Sequence, residues 1–155
     1  RALMKGNVMR AVRLDCSYWR LFALMLLVGF LEELIFRGLL FNAMKQDNVT
    51  SAILVSSLTF GIGHIVNLMN GADFFSTLCQ LFYAVAIGFL FVILFHRGGS
   101  LWPCVITHGV FNALSAFSNE PVTERYLVPV SIALIVLSLG YAFFLCKALP
   151  NPDET

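Results

Sequence analysis

The stretch "FLEELIFRGLL", residues 30–40, places two glutamates and an arginine inside a run of apolar residues. Ionisable side chains within a membrane segment are costly, and they are usually there for function or to pair with one another. Glu33 and Arg37 are four residues apart, so they share a helix face and can form an ion pair. Glu32 lies about 100° away around the helix and has no such local partner. The spacing predicts one structural pair and one glutamate free for chemistry, the alternative being a single buried charge network.

The composition indicates an integral membrane protein. The 155-residue chain is 59% hydrophobic and only 12% charged, whereas soluble domains carry about 25% charged residues. Its apolar residues come in blocks of a length that crosses a bilayer, roughly 20 residues each. We therefore predict an all-α, polytopic transmembrane helix bundle, a single domain over residues 1–155. A net charge of +1 leaves no large basic face, so the expected partner is the lipid bilayer and not nucleic acid.

Five spans are predicted from the apolar blocks. They cover approximately residues 19–44, 52–69, 74–95, 101–117 and 126–146. The polar turn at 45–51 offers Thr50 or Ser51 as N-cap of the second span. The segments 96–100 and 118–125 are predicted to be turns or loops, and Pro103 falls in the first turn of the fourth span, where proline is tolerated.

The segment before the first span is basic. Residues 1–20 hold five of the ten lysines and arginines, interleaved with apolar residues at helical spacing. Such a segment favours the membrane surface, and the alternative is a solvated connector to an upstream span. The chain begins with Arg1 and not with methionine, so we expect further spans upstream.

The polar residues inside the other spans are few. His64 lies in "FGIGHIVN" of the second span, and His108 and Asn112 lie in "THGVFN" of the fourth. Phe60 precedes His64 by four residues, so its ring can pack beside that imidazole. His108 and Asn112 have the same spacing and can point one donor each at a common spot. A lone buried histidine is commonly a satisfied core residue, but this set of polar groups together favours a site in the bundle interior.

Glycines accompany these polar residues. Five of the eleven glycines lie within four residues of a member of the polar set: Gly29, Gly38, Gly61, Gly63 and Gly109. Small residues let membrane helices approach closely. Their placement predicts that the helices converge at the polar cluster. The third and fifth spans contain nothing ionisable and are predicted to be lipid-facing or packing helices.

In order along the chain, "EELIFRG", "FGIGH" and "HGVFN" resemble the three motifs of the CPBP family, the CAAX proteases and bacteriocin-processing enzymes, also called the Abi family. The family pattern is Glu-Glu-x-x-x-Arg, Phe-x-x-x-His and His-x-x-x-Asn, each on its own membrane helix. The resemblance covers about residues 20–118. It implies an intramembrane glutamic endopeptidase of the type II CAAX prenyl protease kind.

The resemblance also implies roles for residues of this chain. Glu32 would be the general base that activates water, and His64 would hold and polarise that water. The oxyanion hole would be formed by His108 and Asn112. The site would be ordered by Glu33, Arg37 and Phe60.

No cofactor is expected. Glu32, His64 and His108 could in principle form a zinc site with two histidines and one glutamate. Against this, the chain has no His-Glu-x-x-His motif, and an amide such as that of Asn112 is a poor zinc ligand. A zinc-dependent protease is the minority alternative.

Two non-enzymatic alternatives stay open. A proton-coupled carrier would use buried Glu and His as a relay, but the sequence shows no inverted repeat. A catalytically silent scaffold or immunity protein of the same fold would have no use for an unpaired glutamate. For an enzyme, the substrate is CaaX-like, a peptide precursor or a membrane protein. The compact chain and short loops favour a multi-pass protein of a bacterial cytoplasmic membrane.

Overall fold

The computed structural model describes the backbone of residues 2–116 and 120–152 and the side chains of residues 18–115 and 125–152. These residues form helices joined by short turns, and the described part contains no strand. The elements are α1 (Ala2–Glu33), a π-helical segment (Leu34–Phe41), α2 (Asn42–Met44), α3 (Val49–Gly63), α4 (Val66–Met69), α5 (Phe74–Gly98), α6 (Trp102–Ala116) and α7 (Glu120–Ala148). The prediction of an all-α fold is confirmed.

The first predicted span lies in a helical stretch that is not regular. The α-helix gives way to a π-helix directly after Glu33, and α-helical geometry returns at Asn42. Within the π-helical segment the carbonyl of Phe36 accepts a hydrogen bond from Oγ of Ser56 on α3, at 2.9 Å. Such segments often occur at functional sites. The side chains of residues 1–17 lie outside the described residues, so the interfacial segment stays a prediction.

The second predicted span is broken. It begins at Val49 behind the N-cap Asn48, whose side chain accepts from the backbone N–H of Ser51 at 2.8 Å. The prediction of Thr50 or Ser51 as the cap was therefore wrong, and asparagine is at least as good a cap as either. The helix then stops at Gly63, and two turn residues separate it from the four-residue α4.

Helices α5 and α7 run longer than predicted, and the predicted turn at 96–100 was therefore wrong for residues 96–98. Asp73 caps α5, which continues to Gly98 and ends where Gly99 adopts a left-handed φ of 68°. The predicted loop at 118–125 was wrong for residues 120–125, which belong to α7. Pro121 lies in the first turn of α7, where no N–H donor is needed, and residues 117–119 lie outside the described part. Pro103 lies in the first turn of α6, as predicted.

Three main helix pairs build the bundle. Helix α5 packs against both α3 and α7, and α1 packs against α6. The π-helical segment packs on α3 and α5 and so connects the two groups of helices. One apolar cluster joins Phe41, Ala52 and Val92, and a second joins Ile93, Ala142 and Leu145. The core is thus divided between the two sides of α5.

The outer surface of the bundle suits a membrane. Three described stretches are long and apolar enough to span a bilayer: Val49–Met69, Phe74–Gly98 and Arg125–Ala148. Large apolar side chains point outward, among them Leu137 at 69% and Phe143 at 63% exposure. The chain is an all-α membrane helix bundle. Crossing by the first and fourth predicted spans stays a prediction, since the first contains four charged residues, Arg20, Glu32, Glu33 and Arg37, and α6 has only 15 residues.

Helices α1 and α6 cross in backbone contact at two glycines. A Cβ placed on Gly29 would lie 2.8 Å from the amide nitrogen of Gly109 and 2.9 Å from its Cα. A Cβ on Gly109 would lie 3.2 Å from the Cα of Leu26. Neither helix can carry a larger residue here without moving apart. The crossing lies beside the polar residues, because Gly29 is one turn from Glu33 and Gly109 follows His108.

The other glycines give a mixed result. Gly61 packs on α5, where its Cβ would lie 3.0 Å from the backbone nitrogen of Val85, so its predicted role in convergence is confirmed. A Cβ on Gly63 would meet nothing within 4 Å, and one on Gly38 would approach the side chain of Leu34, on its own helix, at 3.0 Å. The prediction of close helix approach was therefore wrong for Gly63 and lacks support at Gly38. Gly88 on α5, which was not predicted, approaches Ser57 of α3 closely.

We expect Gly29→Ala to destabilise the bundle by about 1–3 kcal/mol, because overpacking against backbone cannot relax by a rotamer change. The matched control is Gly140→Ala on α7, where a Cβ would meet nothing within 4 Å. The control should be neutral or stabilising by up to about 1 kcal/mol, since alanine is the better helix former. Denaturant titration in detergent micelles measures both. Equal stabilities of the two variants would show that the crossing tolerates separation.

Candidate active site

A fully buried ion pair lies at the centre of the site. The Nη1 atom of Arg37 donates to Oε1 of Glu33 at 3.0 Å, and both side chains are 0% exposed. The i,i+4 pairing predicted from the sequence is confirmed, although it spans the start of the π-helical segment. Removing one partner of such a pair leaves an uncompensated buried charge. The pair therefore stabilises the junction between α1, which ends at Glu33, and the π-helical segment that contains Arg37.

The guanidinium of Arg37 has further partners on two other helices. Its Nη2 atom donates to the carbonyl oxygen of Gly88 on α5 at 3.0 Å. The guanidinium carbon lies 4.4 Å from the ring centroid of Phe60 on α3 and 5.5 Å from that of Phe91 on α5. A carboxylate, a carbonyl and two aromatic faces thus surround the buried cation, an arrangement that favours its charged form.

His108 of α6 lies between the two glutamates. Its Nδ1 atom is 2.8 Å from Oε1 of Glu33, and its Nε2 atom is 3.2 Å from Oε2 of Glu32. One carboxylate oxygen of Glu33 therefore serves both Arg37 and His108. The two contacts of the imidazole together need two protons, either both on the ring or one on the ring and one on Glu32.

The surroundings of the adjacent glutamates differ. Glu33 is fully buried, whereas the side chain of Glu32 is 35% exposed. The sequence predicted that Glu32 has no partner on its own helix, and among the described residues its ion-pair partner is His108, which comes from α6. The carboxylate of Glu32 therefore contacts His108 inside the site and is also open to molecules that enter the site from outside.

Phe60 connects the two histidines. The centroid of its ring lies 5.4 Å from that of His64 and 5.4 Å from that of His108, in edge-on geometry in both cases. The predicted packing of Phe60 on His64 is confirmed. The Nδ1 atom of His64 is 3.0 Å from the carbonyl oxygen of Phe60, and because a carbonyl only accepts, Nδ1 carries the proton. In the neutral ring Nε2 is then an acceptor.

Asn112 lies one turn after His108 on α6 and is half-buried. Within the described part of the chain, its side chain makes no hydrogen bond to another residue. Its amide donors are thus available to a bound group. That Asn112 and His108 donate to one common oxygen stays a prediction.

The donor set does not assemble a metal centre. Among the described residues, no three His, Cys, Asp or Glu side chains lie close enough together to hold a metal ion. Of the three candidate ligands, His108 directs its Nδ1 at Glu33 and its Nε2 at Glu32. The side chains as placed do not fit zinc coordination. Metal independence of the reaction stays a prediction.

Sequence reasoning missed the part that α5 has in the site. This span was predicted only to pack or to face lipid, yet it supplies the carbonyl of Gly88 and the ring of Phe91. The Phe91 carbonyl also accepts from Sγ of the buried Cys104, at 3.4 Å. A carbonyl has no side-chain signature. The one available signal was an isolated glycine within an apolar helix, which often marks a close approach.

Comparisons with known proteins identify the family of this chain. The family model described as type II CAAX prenyl endopeptidase Rce1-like matches residues 15–114, a range that contains all seven predicted site residues. "Putative membrane peptidase YdiL" of Bacillus subtilis (strain 168) is 33% identical over 98 residues, which are 63% of this chain and 36% of that protein. The chain thus spans just over a third of that relative. No solved structure gives a significant match. This chain belongs to the type II CAAX prenyl endopeptidase Rce1-like family.

Proposed function

We propose that this chain carries the catalytic centre of an intramembrane endopeptidase that hydrolyses a peptide bond with a water activated by Glu32. The observation that carries the proposal is the difference between two adjacent glutamates. Glu33 is fully buried and bound to Arg37, and Glu32 is partly exposed and faces His108. A general base has to reach both water and the interior of the site, and Glu32 meets this condition.

The reaction begins at the water. Glu32 accepts a proton from it while the water oxygen forms a bond to the carbonyl carbon of the substrate. The neutral His64 offers Nε2 as acceptor for the other hydrogen of the water, because its Nδ1 is bound to the carbonyl of Phe60. The water is thereby oriented at the moment of attack.

The oxyanion that forms takes its donors from α6. With protons on both nitrogens of His108, the charges of Glu32, Glu33, Arg37 and His108 sum to zero. When Glu32 takes a proton from the water, its carboxyl group becomes neutral and accepts the hydrogen bond from His108 less strongly. The Nε2–H of His108 then donates its hydrogen bond to the new oxyanion instead. The amide of Asn112 gives a second hydrogen bond to the same oxygen. Donors fixed in a low-dielectric site stabilise such a charge strongly.

The collapse of the tetrahedral intermediate completes the reaction. The C–N bond breaks, and Glu32 returns its proton to the leaving amine. The buried pair of Glu33 and Arg37 and the ring of Phe60 take no part in bond making. They hold His108 and His64 in position, which is the ordering role expected for them.

The family relationship supports a substrate that is a peptide or a membrane protein. CaaX-like proteins, peptide precursors and membrane-protein segments all have the bond that this chemistry cleaves. The short loops and the resemblance to a Bacillus subtilis protein favour a bacterial cytoplasmic membrane as the location. In that membrane, peptide or membrane-protein substrates are the better candidates.

Hydrolysis by the purified protein in lipid nanodiscs tests the proposal. We expect cleavage of internally quenched peptides by the wild type, none by Glu32→Ala, and unchanged rates after treatment with strong chelators. Mass spectrometry of membrane proteomes with and without active protein would then identify natural substrates. Equal turnover by wild type and Glu32→Ala would favour a silent scaffold. Loss of activity on zinc removal, with recovery on its return, would favour the zinc-dependent alternative.

A further inference from the structure

A second polar pair lies one turn beyond His64. Helix α3 ends at Gly63, and the N–H of Asn67 donates to the carbonyl of His64 at 3.0 Å. The side-chain Nδ2 of Asn67 in turn donates to Oε1 of Gln80 on α5, at 2.8 Å. Both side chains are half-buried. The proposed mechanism uses neither residue.

The pair lies on the site side of α5. Gln80 precedes Phe91 by eleven residues, which is close to three turns of an α-helix, so both face the same direction. The centroid of the Phe91 ring lies 6.0 Å from that of the His108 imidazole. Asn67 approaches from the other side, from the short helix that follows His64. The amide pair thus lies along the same face of the bundle as the catalytic groups.

The pair has hydrogen-bonding capacity to spare. A carboxamide carries two N–H donors and one acceptor oxygen, and the contact uses one donor of Asn67 and the oxygen of Gln80. Within the described residues, the side-chain oxygen of Asn67 and the side-chain amide group of Gln80 have no other partner. Rotation of both amides exchanges the two roles but still leaves donors and an acceptor unused. A donor and an acceptor side by side match the C=O and N–H of a peptide backbone.

We infer that Asn67 and Gln80 form a main-chain binding subsite for the peptide substrate, beside the site of hydrolysis. The inference rests on the proposed function. Along α5, Gln80 lies about 16 Å from Phe91, because an α-helix rises about 1.5 Å per residue, and extended peptide advances about 3.3 Å per residue. The subsite therefore holds the substrate within about five residues of the scissile bond.

This assignment has a consequence for the substrate class. Backbone groups inside a helix already bond to one another, so only an extended segment can offer them to the amide pair. The protein then selects unwound or extended stretches of peptide, largely irrespective of their side chains. A membrane-protein substrate would have to unwind locally before cleavage.

The test combines enzyme variants with backbone-modified substrates. The variants Asn67→Leu and Gln80→Met keep approximate volume and remove hydrogen bonding. The probe is the best-cleaved member of a pool of internally quenched peptides with randomised residues around a central bond. We expect KM to rise about tenfold in each variant and kcat to stay within about twofold, because binding is lost equally in ground and transition states. Thr59→Val on α3 is the matched control and should equal the wild type.

Substrates in which one amide is replaced by an ester locate the contact. At the contacted position the ester lacks the N–H that the side-chain oxygen of Asn67 accepts, so it should raise KM about tenfold for the wild type but not for Asn67→Leu. At other positions the ester should affect both proteins equally. Thermal unfolding in nanodiscs shows whether the variants keep their fold, and a folded variant with wild-type KM for all substrates would overturn the inference.

A binding measurement separates the inference from the proposed function. Anisotropy of the fluorescent peptides on Glu32→Gln protein gives Kd without turnover. If no peptide is cleaved by the wild type, but binding still weakens about tenfold on Gln80→Met, the inference stands and the catalytic proposal fails. Glu32-dependent cleavage with unchanged KM and Kd in both amide variants would overturn the inference and support the catalytic proposal. Absence of both cleavage and binding would overturn both.

Discussion

Glu32→Gln should abolish peptide hydrolysis and leave the fold intact. We expect kcat to fall by about 10⁴, at the upper end of what general acid–base catalysis contributes, because one carboxylate acts first as base and then as acid. Glutamine keeps the shape and can still accept or donate at the position 3.2 Å from His108. Since the side chain is already 35% exposed, loss of its charge should cost little stability. Stopped turnover with an unchanged unfolding transition is the expected result.

Glu33→Gln should behave in the opposite way. The carboxylate of Glu33 is 0% exposed and is the acceptor for both Arg37 and His108. Without its charge the buried guanidinium is uncompensated, and the free energy of unfolding should fall by about 3–5 kcal/mol. The kcat per folded molecule should fall much less than in Glu32→Gln, because Glu33 positions His108 but takes no part in bond making. Should Glu33→Gln fold normally while Glu32→Gln unfolds, the roles of the two glutamates are reversed.

The contacts that follow from local sequence are those between residues on one helix. The Glu33–Arg37 contact follows from a spacing of four residues, and so does the packing of Phe60 on His64, because neighbours on one helix face are set by helical geometry alone. The contacts of His108 with Glu32 and Glu33 connect residues about 75 positions apart. No spacing rule predicts them. They depend on how closely α1 and α6 cross, which the glycines at 29 and 109 decide.

Backbone features were the least predictable part of the site. The residues of the π-helical segment are as apolar as those of an ordinary buried α-helix, so composition alone does not distinguish the two. The carbonyl of Gly88 accepts a hydrogen bond from Arg37 because α3 and the π-helical segment pack on α5. Helix ends were misplaced where two residue types compete, as at Asn48, or where proline suited a first turn, as at Pro121. In each case tertiary contacts or cap chemistry outweighed the local pattern.

His108→Ala should lower kcat more than Asn112→Ala does. Removing one oxyanion donor typically costs about 10²–10³ in kcat, and this is the expected loss for Asn112→Ala, with KM nearly unchanged because the contact forms only in the transition state. His108 has a second function that Asn112 lacks, since its Nδ1 lies 2.8 Å from the buried Glu33. Its removal should therefore reduce both kcat and the free energy of unfolding.

The double variant decides whether the two side chains act on the same oxygen. If they do, the combined loss in kcat should be smaller than the product of the single losses, because groups that act as a unit are non-additive. Single-turnover rates with a quenched peptide, each corrected for the folded fraction, provide the comparison. Independent, multiplicative losses would place Asn112 and His108 at different atoms of the substrate. A wild-type kcat in Asn112→Ala, or an effect on KM alone, would remove Asn112 from the oxyanion hole and leave it as a packing residue on α6.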